Sequence, residues 1–112
     1  MSKRDWKLLI EDILTCANRI IKYTENMDIK EFSTDEKTID AVMRNFQVIG
    51  EAVKNLPKEL INTHKNIKWV NIMGLRNIIV HEYFGIDMEL LWSIIKVDIP
   101  QLNKEMENLI DK

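Results

Sequence analysis

Apolar residues recur at steps of three and four along most of the chain, which is the spacing that places side chains on one face of an α-helix. The first such stripe fades near Asn26 and consists of Trp6, Leu9, Ile10, Ile13, Leu14, Ala17, Ile20 and Ile21. The second stripe ends at Pro57 and consists of Ile39, Val42, Met43, Phe46, Ile49, Val53 and Leu56. Because Ser33 and Glu36 form the S-x-x-E pattern of a capping box, we expect the second helix to begin at Ser33.

A third helix is predicted after a polar connector. The connector covers residues 58–66 and has room for one short helical turn. We expect the third helix to start near Trp69 and to end around Tyr83, with Gly85 placed as its C-terminal cap.

A fourth helix is predicted to begin at Asp87, whose side chain can cap it, and to carry the apolar residues Met88, Leu91, Trp92 and Ile95. Pro100 lacks an N–H group, so we expect it to interrupt this helix and Asp98 to cap the continuation. Short connections between amphipathic helices favour antiparallel packing. The sequence therefore predicts an all-α fold, an up-and-down bundle of four to five helices in a single domain over residues 1–112.

Composition points to a soluble cytoplasmic protein. The chain has 112 residues, which is enough to bury a core, and its one cysteine, Cys16, cannot form an internal disulfide. No apolar run reaches the twenty or so residues that cross a bilayer, and no apolar leader follows Met1. We expect neither a membrane association nor a secretory route.

Charge is distributed unevenly along the chain. The formal net charge is −2, which argues against binding nucleic acid over the whole surface. Between residues 52 and 81, however, the one carboxylate is Glu59, and it is outnumbered by Lys54, Lys58, Lys65, Lys68 and Arg76. This basic stripe is compatible with local phosphate binding and equally with a solvated, Lys-rich surface.

The pair Arg76 and His81, within residues 76–83, has the chemistry needed to cleave RNA without a metal. Histidine exchanges protons near neutral pH, so His81 can take the proton from a 2′-hydroxyl that attacks the adjacent phosphorus. The planar guanidinium of Arg76 can stabilise charge that develops on the phosphoryl oxygens. DNA lacks the 2′-hydroxyl, so this reaction is confined to RNA.

Helical geometry limits what one copy of this pair can do. Five residues along an ideal helix place His81 about 140° around and roughly 7.5 Å along the axis from Arg76. One copy therefore gives a stretched, open site, whereas two copies facing each other across a two-fold axis concentrate both pairs in one cleft. The mechanism predicts a homodimer.

Structural roles compete with these functional ones. A lone histidine on a helix often serves only as a hydrogen-bonded structural residue, and an arginine there often pairs with a carboxylate. Tyr83 can be a core or interface aromatic. His64 has no cysteine or histidine at metal-ligand spacing, so no metal site is predicted. Cys16 lies within an amphipathic helix and is expected to be a packed thiol.

Several motifs give the chain a resemblance to a known family. They are the stretch R-N-F-Q-V-I-G-E-A at residues 44–52, then Trp69, Ile72, Gly74, Arg76, Asn77, the run H-E-Y-F-G at residues 81–85, Asp87 and Trp92. This pattern resembles the HepT-like branch of the HEPN superfamily over nearly the whole chain. One departure is Lys68, which stands where the family often has proline before the tryptophan, and it bears on how the chain enters the third helix.

The resemblance implies an all-helical dimer that acts as the ribonuclease toxin of a toxin–antitoxin pair. It implies that Arg76 and His81 are the catalytic pair and that Asn77 positions the RNA or orients His81. The implied antitoxin is a minimal nucleotidyltransferase, which transfers AMP from ATP to the motif tyrosine, here Tyr83. No cofactor is implied for the chain itself. An added AMP brings bulk and negative charge, which would fill the cleft and repel RNA phosphates.

A second function stays open at this point. The chain could be a non-catalytic helical module that serves the nucleotidyltransferase as a binding partner or scaffold. The acidic overall charge favours this reading, whereas the intact motif favours the enzyme.

Overall fold

The computed structural model describes residues 5–69, 72 and 87–110, and throughout these residues the ordered elements are helices. The predicted all-α class is confirmed. The elements are α1 (Trp6–Thr24), α2 (Ile29–Thr34), α3 (Glu36–Lys54), α4 (Lys58–Thr63), α5 (Met88–Ser93), a π-helical segment (Ile94–Asp98) and α6 (Ile99–Ile110).

Two long helices, α1 and α3, form the centre of the fold and pack against each other. The side chain of Asp5 accepts a hydrogen bond from the Lys7 N–H and so caps the start of α1. The predicted apolar stripes are the buried faces of both helices, and Phe46 of α3 is among the largest buried side chains. Burial of one face explains why these sequences form helices at these positions.

The predicted start of the second helix at Ser33 is wrong. Ser33 lies inside α2, and its hydroxyl donates to the Ile29 carbonyl over 2.7 Å. The capping box is formed by Asp28 and Glu31, each side chain accepting from the other residue's backbone N–H. Asp35 then caps α3 by accepting from the Thr38 N–H. A short helix with its own cap therefore precedes α3.

The short turn predicted in the connector is confirmed as α4. The helix begins directly after Pro57, whose carbonyl accepts from the N–H groups of Leu60 and Ile61. Proline is well suited to this place because its fixed φ fits the start of a helix, where an N–H has no helical partner.

The predicted break at Pro100 is also wrong. The chain runs from α5 through the π-helical segment into α6, and Asp98 lies inside this run instead of capping a new helix. The Ile99 N–H donates to the Ile94 carbonyl, five residues back. The wider π turn accommodates the missing N–H of Pro100 and its clash with the carbonyl four residues before it, so the helix continues.

The C-terminal helices close the core against α1. Helix α6 packs along α1, and the Asn103 side-chain amide donates to Asn18 Oδ1 over 2.6 Å. The Lys96 ammonium donates to the Thr24 carbonyl at the end of α1 and lies 4.7 Å from the centre of the Trp92 ring. Helix α1 is thus held between α3 and α6. Among the described residues, no helix is both long and apolar enough to cross a membrane.

Candidate functional site

The four residues to which the sequence assigns chemistry all lie outside the described residues. Arg76, Asn77, His81 and Tyr83 belong to residues 73–86, as does the predicted cap Gly85. Their proposed roles stay predictions. We call residues 73–86 the motif segment. The structure describes the chain on both sides of it: residues 54–69 and 72, here called the N-terminal flank, and residues 87–92, the C-terminal flank. These two flanks determine where the motif segment joins the core.

The N-terminal flank is anchored by Trp69. Its ring is 5% exposed, and its indole N–H donates to the His64 carbonyl over 3.0 Å. The same carbonyl accepts from the Ile67 N–H over 3.1 Å. Two donors on one carbonyl tie the loop before the motif to the core, and the buried side chains of Ile67 and Trp69 hold it there.

The helix that the sequence predicts after the polar connector, which is not α3 but follows α4, begins where it was expected. Trp69 and Ile72 are both helical, and the Ile72 N–H donates to the Lys68 carbonyl over 3.2 Å. Lys68, which stands in the place of the family's common proline, thus supplies the first carbonyl of the helix. This contact uses only its C=O group, which proline also has.

His64 has a structural role in this flank. It caps the end of α4, where its Nδ1 lies 3.0 Å from the Leu60 carbonyl, and its own carbonyl receives the two bonds described above. Across the described residues no group of three or more potential metal ligands comes together.

The C-terminal flank is fixed by a helix cap. The Asp87 side chain accepts from the N–H groups of Glu89 and Leu90, which confirms its predicted role at the start of α5. Leu91 is buried in the core, and the Trp92 ring packs on Phe32 with a centroid distance of 5.1 Å. The chain therefore re-enters the core at α5, in a position fixed by the Asp87 cap and by the packing of Leu91 and Trp92.

The lysines of the predicted basic stripe lie in the N-terminal flank. Lys54 ends α3, Lys58 begins α4, and Lys65 and Lys68 lie in the loop before Trp69; all four are exposed. A set of exposed cations leading into the motif segment is suited to contact with phosphates.

A cavity of about 470 Å³ lies between α1 and α3, on the side of the pair that is open to solvent. We call it the α1–α3 groove; its lining includes Asp12, Cys16, Arg19 and Tyr23 of α1 and Arg44 and Asn45 of α3. Cys16 is buried, as predicted for a packed thiol. Burial raises the pKa of the Cys16 thiol, while the charge of Arg19 lowers it and that of Asp12 raises it.

Sequence reasoning did not single out this groove. In the sequence, Arg44 and Asn45 stand out only as part of the family-like stretch at residues 44–52, and Arg19 belongs to no motif. The signal in the sequence is slight: polar side chains at residues 12, 15 and 19 share one face of α1. Only the packing of α1 on α3 shows which polar residues of the two helices meet.

Comparison with known proteins identifies the family. The family model described as "Ribonuclease HepT-like" matches residues 13–109. The chain belongs to the HepT-like ribonuclease family. This match confirms the resemblance drawn from the motifs, and it spans both flanks and the motif segment between them.

Individual HepT-like relatives align over nearly their full lengths. "Putative RNase MJ1380" of Methanocaldococcus jannaschii is 43% identical over 96% of this chain and 98% of that protein. "Putative RNase MJ0127" of the same organism is 42% identical over 98% of this chain and 91% of its own length. "Probable ribonuclease HepT" of Thermococcus cleftensis is 37% identical over 96% and 97% of the two chains. A search of solved structures found no significant match.

Proposed function

We propose that this chain is a metal-independent endoribonuclease and the toxin of a toxin–antitoxin pair. The observation that carries the proposal is the HepT-like match over residues 13–109, because this range contains Arg76, Asn77, His81 and Tyr83. The names of the relatives, which describe RNases, point the same way. The exposed lysines of the N-terminal flank add support, since they can hold the RNA backbone beside the motif.

The proposed reaction is a transesterification within the RNA backbone. His81 removes the proton from a 2′-hydroxyl, and the oxygen attacks the neighbouring phosphorus. The bond from phosphorus to the 5′-oxygen of the next nucleotide breaks, and that oxygen leaves as a hydroxyl after taking up a proton. The products are a 2′,3′-cyclic phosphate and a free 5′-hydroxyl. Arg76 stabilises the charge on the phosphoryl oxygens, and Asn77 positions the RNA or orients His81.

The site is proposed to be completed by a second copy of the chain and silenced by modification. A homodimer brings two Arg76–His81 pairs into one cleft, as the spacing of the pair requires. A nucleotidyltransferase antitoxin transfers AMP from ATP to the Tyr83 hydroxyl and releases pyrophosphate. The added phosphate and base then block the cleft against RNA.

The first experiment measures cleavage of a labelled RNA in EDTA. Wild type is expected to cut, whereas Arg76→Ala and His81→Ala are expected to lose at least about 100-fold in rate, the scale of one general acid–base group. His64→Ala is the matched control: it removes the other histidine of the chain and keeps the backbone carbonyl to which Trp69 bonds. Equal cleavage by all four proteins would mean a contaminating nuclease and would end the ribonuclease proposal.

Two further measurements test the mechanism. An RNA with a single 2′-deoxy substitution should resist cleavage at that position, and cleavage there would exclude attack by the 2′-hydroxyl. Light scattering of the purified protein should give the mass of a dimer, and a monomer that still cuts RNA would refute the shared site.

Modification is tested by intact mass after incubation with the antitoxin and ATP. The mass should rise by whole AMP units in wild type and stay unchanged in Tyr83→Phe. A gain of the same size in both proteins would place the modification elsewhere.

The rival function is a non-catalytic partner or scaffold of the nucleotidyltransferase. The net charge of −2 favours it, because surfaces that bind RNA are usually basic. A chain of this kind would bind the nucleotidyltransferase and leave the labelled RNA intact, so the cleavage assay separates the two functions.

A further inference from the structure

The α1–α3 groove has the size and construction of a binding site. Its volume of about 470 Å³ lies within the roughly 300–1,000 Å³ of typical small-ligand sites. Cys16 and Asn45 line it and are 4% and 7% exposed, so they form a packed floor. The Asn45 side-chain amide donates to the Ala41 carbonyl over 2.7 Å, which fixes that part of the floor. A site built from two long, mutually packed helices exists before any ligand arrives.

The groove carries positive charge in a chain that is negative overall. Among the described residues that line it, Arg19 and Arg44 are the two cations and Asp12 is the one carboxylate. Both arginines are exposed, one on each helix, so they stand on opposite sides of the floor. Burial raises the pKa of the Cys16 thiol in the floor, and Arg19 and Asp12 act on it with opposite signs.

An exposed aromatic ring lies beside these charges. Tyr23 lines the groove and is 43% exposed. It lies one helical turn after Arg19, about 6 Å along the axis of α1. Val48 of α3 is 37% exposed in the same groove. The groove thus offers an apolar ring surface next to two guanidinium groups.

Cationic side chains along a groove together with an exposed aromatic ring are the combination that binds single-stranded nucleic acid. The cations hold phosphates, and the ring stacks on a base whatever its identity. We propose that the α1–α3 groove binds a segment of single-stranded RNA outside the cleavage motif, with Arg19 and Arg44 on phosphates and Tyr23 against a base. The inference deepens the proposed ribonuclease function and rests on it for the choice of RNA as ligand.

The test measures binding separately from cleavage. A fluorescein-labelled single-stranded RNA of about 12 nucleotides, on the scale of such sites, is titrated with the full-length His81→Ala protein, and anisotropy is recorded at several salt concentrations. Arg19→Gln with Arg44→Gln removes both cations of the groove. Lys30→Gln with Lys104→Gln is the matched control, since it removes two equally exposed cations, one on α2 and one on α6.

The groove variant should weaken RNA binding about tenfold, and the slope of log affinity against log salt should fall by about 1.4, at roughly 0.7 per lost phosphate contact. The control should change affinity less than twofold. Tyr23→Ala should weaken binding about tenfold, whereas Tyr23→Phe keeps the stacking surface and should bind like wild type. All of these side chains are exposed, so circular dichroism should show folded proteins throughout.

Three results would overturn the inference. They are failure of the His81→Ala protein to bind the RNA, equal affinities for the groove and control variants, and a groove variant whose mass by light scattering drops from dimer to monomer. The last result would make this face an interface between two copies of the chain.

The two proposals fail in different ways. Groove-dependent binding by a protein that never cuts RNA would support the groove and refute the ribonuclease. Normal cleavage by wild type, together with RNA binding that does not change when Arg19 and Arg44 are replaced, would support the ribonuclease and refute the groove.

Discussion

Replacing Trp69 with phenylalanine tests whether the N-terminal flank anchors the motif segment. The substitution keeps an aromatic ring in the core and removes the indole N–H that donates to the His64 carbonyl over 3.0 Å. That carbonyl keeps its bond from the Ile67 N–H, so no buried acceptor is left without a donor.

The expected loss of stability follows from two contributions. A hydrogen bond whose acceptor keeps a second donor contributes about 1 kcal/mol. The smaller ring gives up buried apolar surface at a site that is 5% exposed, which costs about 1 kcal/mol more. The free energy of unfolding should therefore fall by about 2 kcal/mol, and Tm should fall by about 8 °C at this chain length.

Urea unfolding followed by circular dichroism measures the loss, with every protein at the same protomer concentration because the stability of the proposed dimer would depend on it. Trp6→Phe is the control, since Trp6 begins α1 and belongs to neither flank of the motif segment. RNA cleavage is then measured at a temperature where both variants are folded. Trp69→Phe should cut about threefold to tenfold more slowly, less than the ~100-fold that a misplacement near 1 Å can cause.

Wild-type stability in Trp69→Phe would refute the anchoring role of this bond. A loss of stability with unchanged cleavage in both variants would show that the anchor holds the fold but does not position the proposed catalytic residues.

Three further predictions concern stability. Phe46→Ala should lose about 3–5 kcal/mol by urea unfolding, because the ring is 1% exposed and leaves a cavity; a loss below about 1 kcal/mol would contradict its place in the core. The hydrogen bond between Asn18 and Asn103 should give a coupling of about 1 kcal/mol in a double-mutant cycle with alanine, and additive effects would refute it. The backbone and side-chain hydrogen bonds from Thr38 hold the pKa of Asp35 below its ordinary value of 3.8. As the pH falls, the Asp35 carboxylate is therefore protonated in the unfolded chain before it is protonated in the folded protein. Its contribution to stability is complete above the ordinary pKa and is lost as the pH falls through the lowered pKa of the folded protein. Asp35→Asn, which can still cap α3, should flatten the acid side of the stability profile, and an unchanged slope would count against the shift.

The long helices could be predicted from the sequence because their apolar periodicity is strong. The stripes of α1 and α3 and the Asp87 cap of α5 are local patterns, and the structure places them as expected. Helix α2 was missed because two capping patterns follow each other closely, one at Asp28 and Glu31 and the other at Ser33 and Glu36. Phe32, which lies between the two patterns, favours the first because it is completely buried and packs on Trp92. That contact joins residues far apart in the sequence.

Pro100 shows the limit of a local rule. Its clash with the preceding turn is real, but tertiary packing of Ile99 and Leu102 favours continuing the helix, and a π turn makes this possible. The α1–α3 groove could not be predicted because Arg19 and Arg44 become neighbours only after two helices pack. The motif residues were found by residue type and spacing, which need no tertiary information.

The position of α1 between α3 and α6 has a consequence for how the protein is made. Helix α1 can pair with α3 once the first 54 of the 112 residues have left the ribosome. Its other side must wait for α6, since the partners Asn18 and Asn103 are 85 residues apart. At about 5–20 residues per second, that side of α1 stays uncovered for several seconds. During this interval the nascent chain exposes an apolar face of α1, which α6 covers when it packs there.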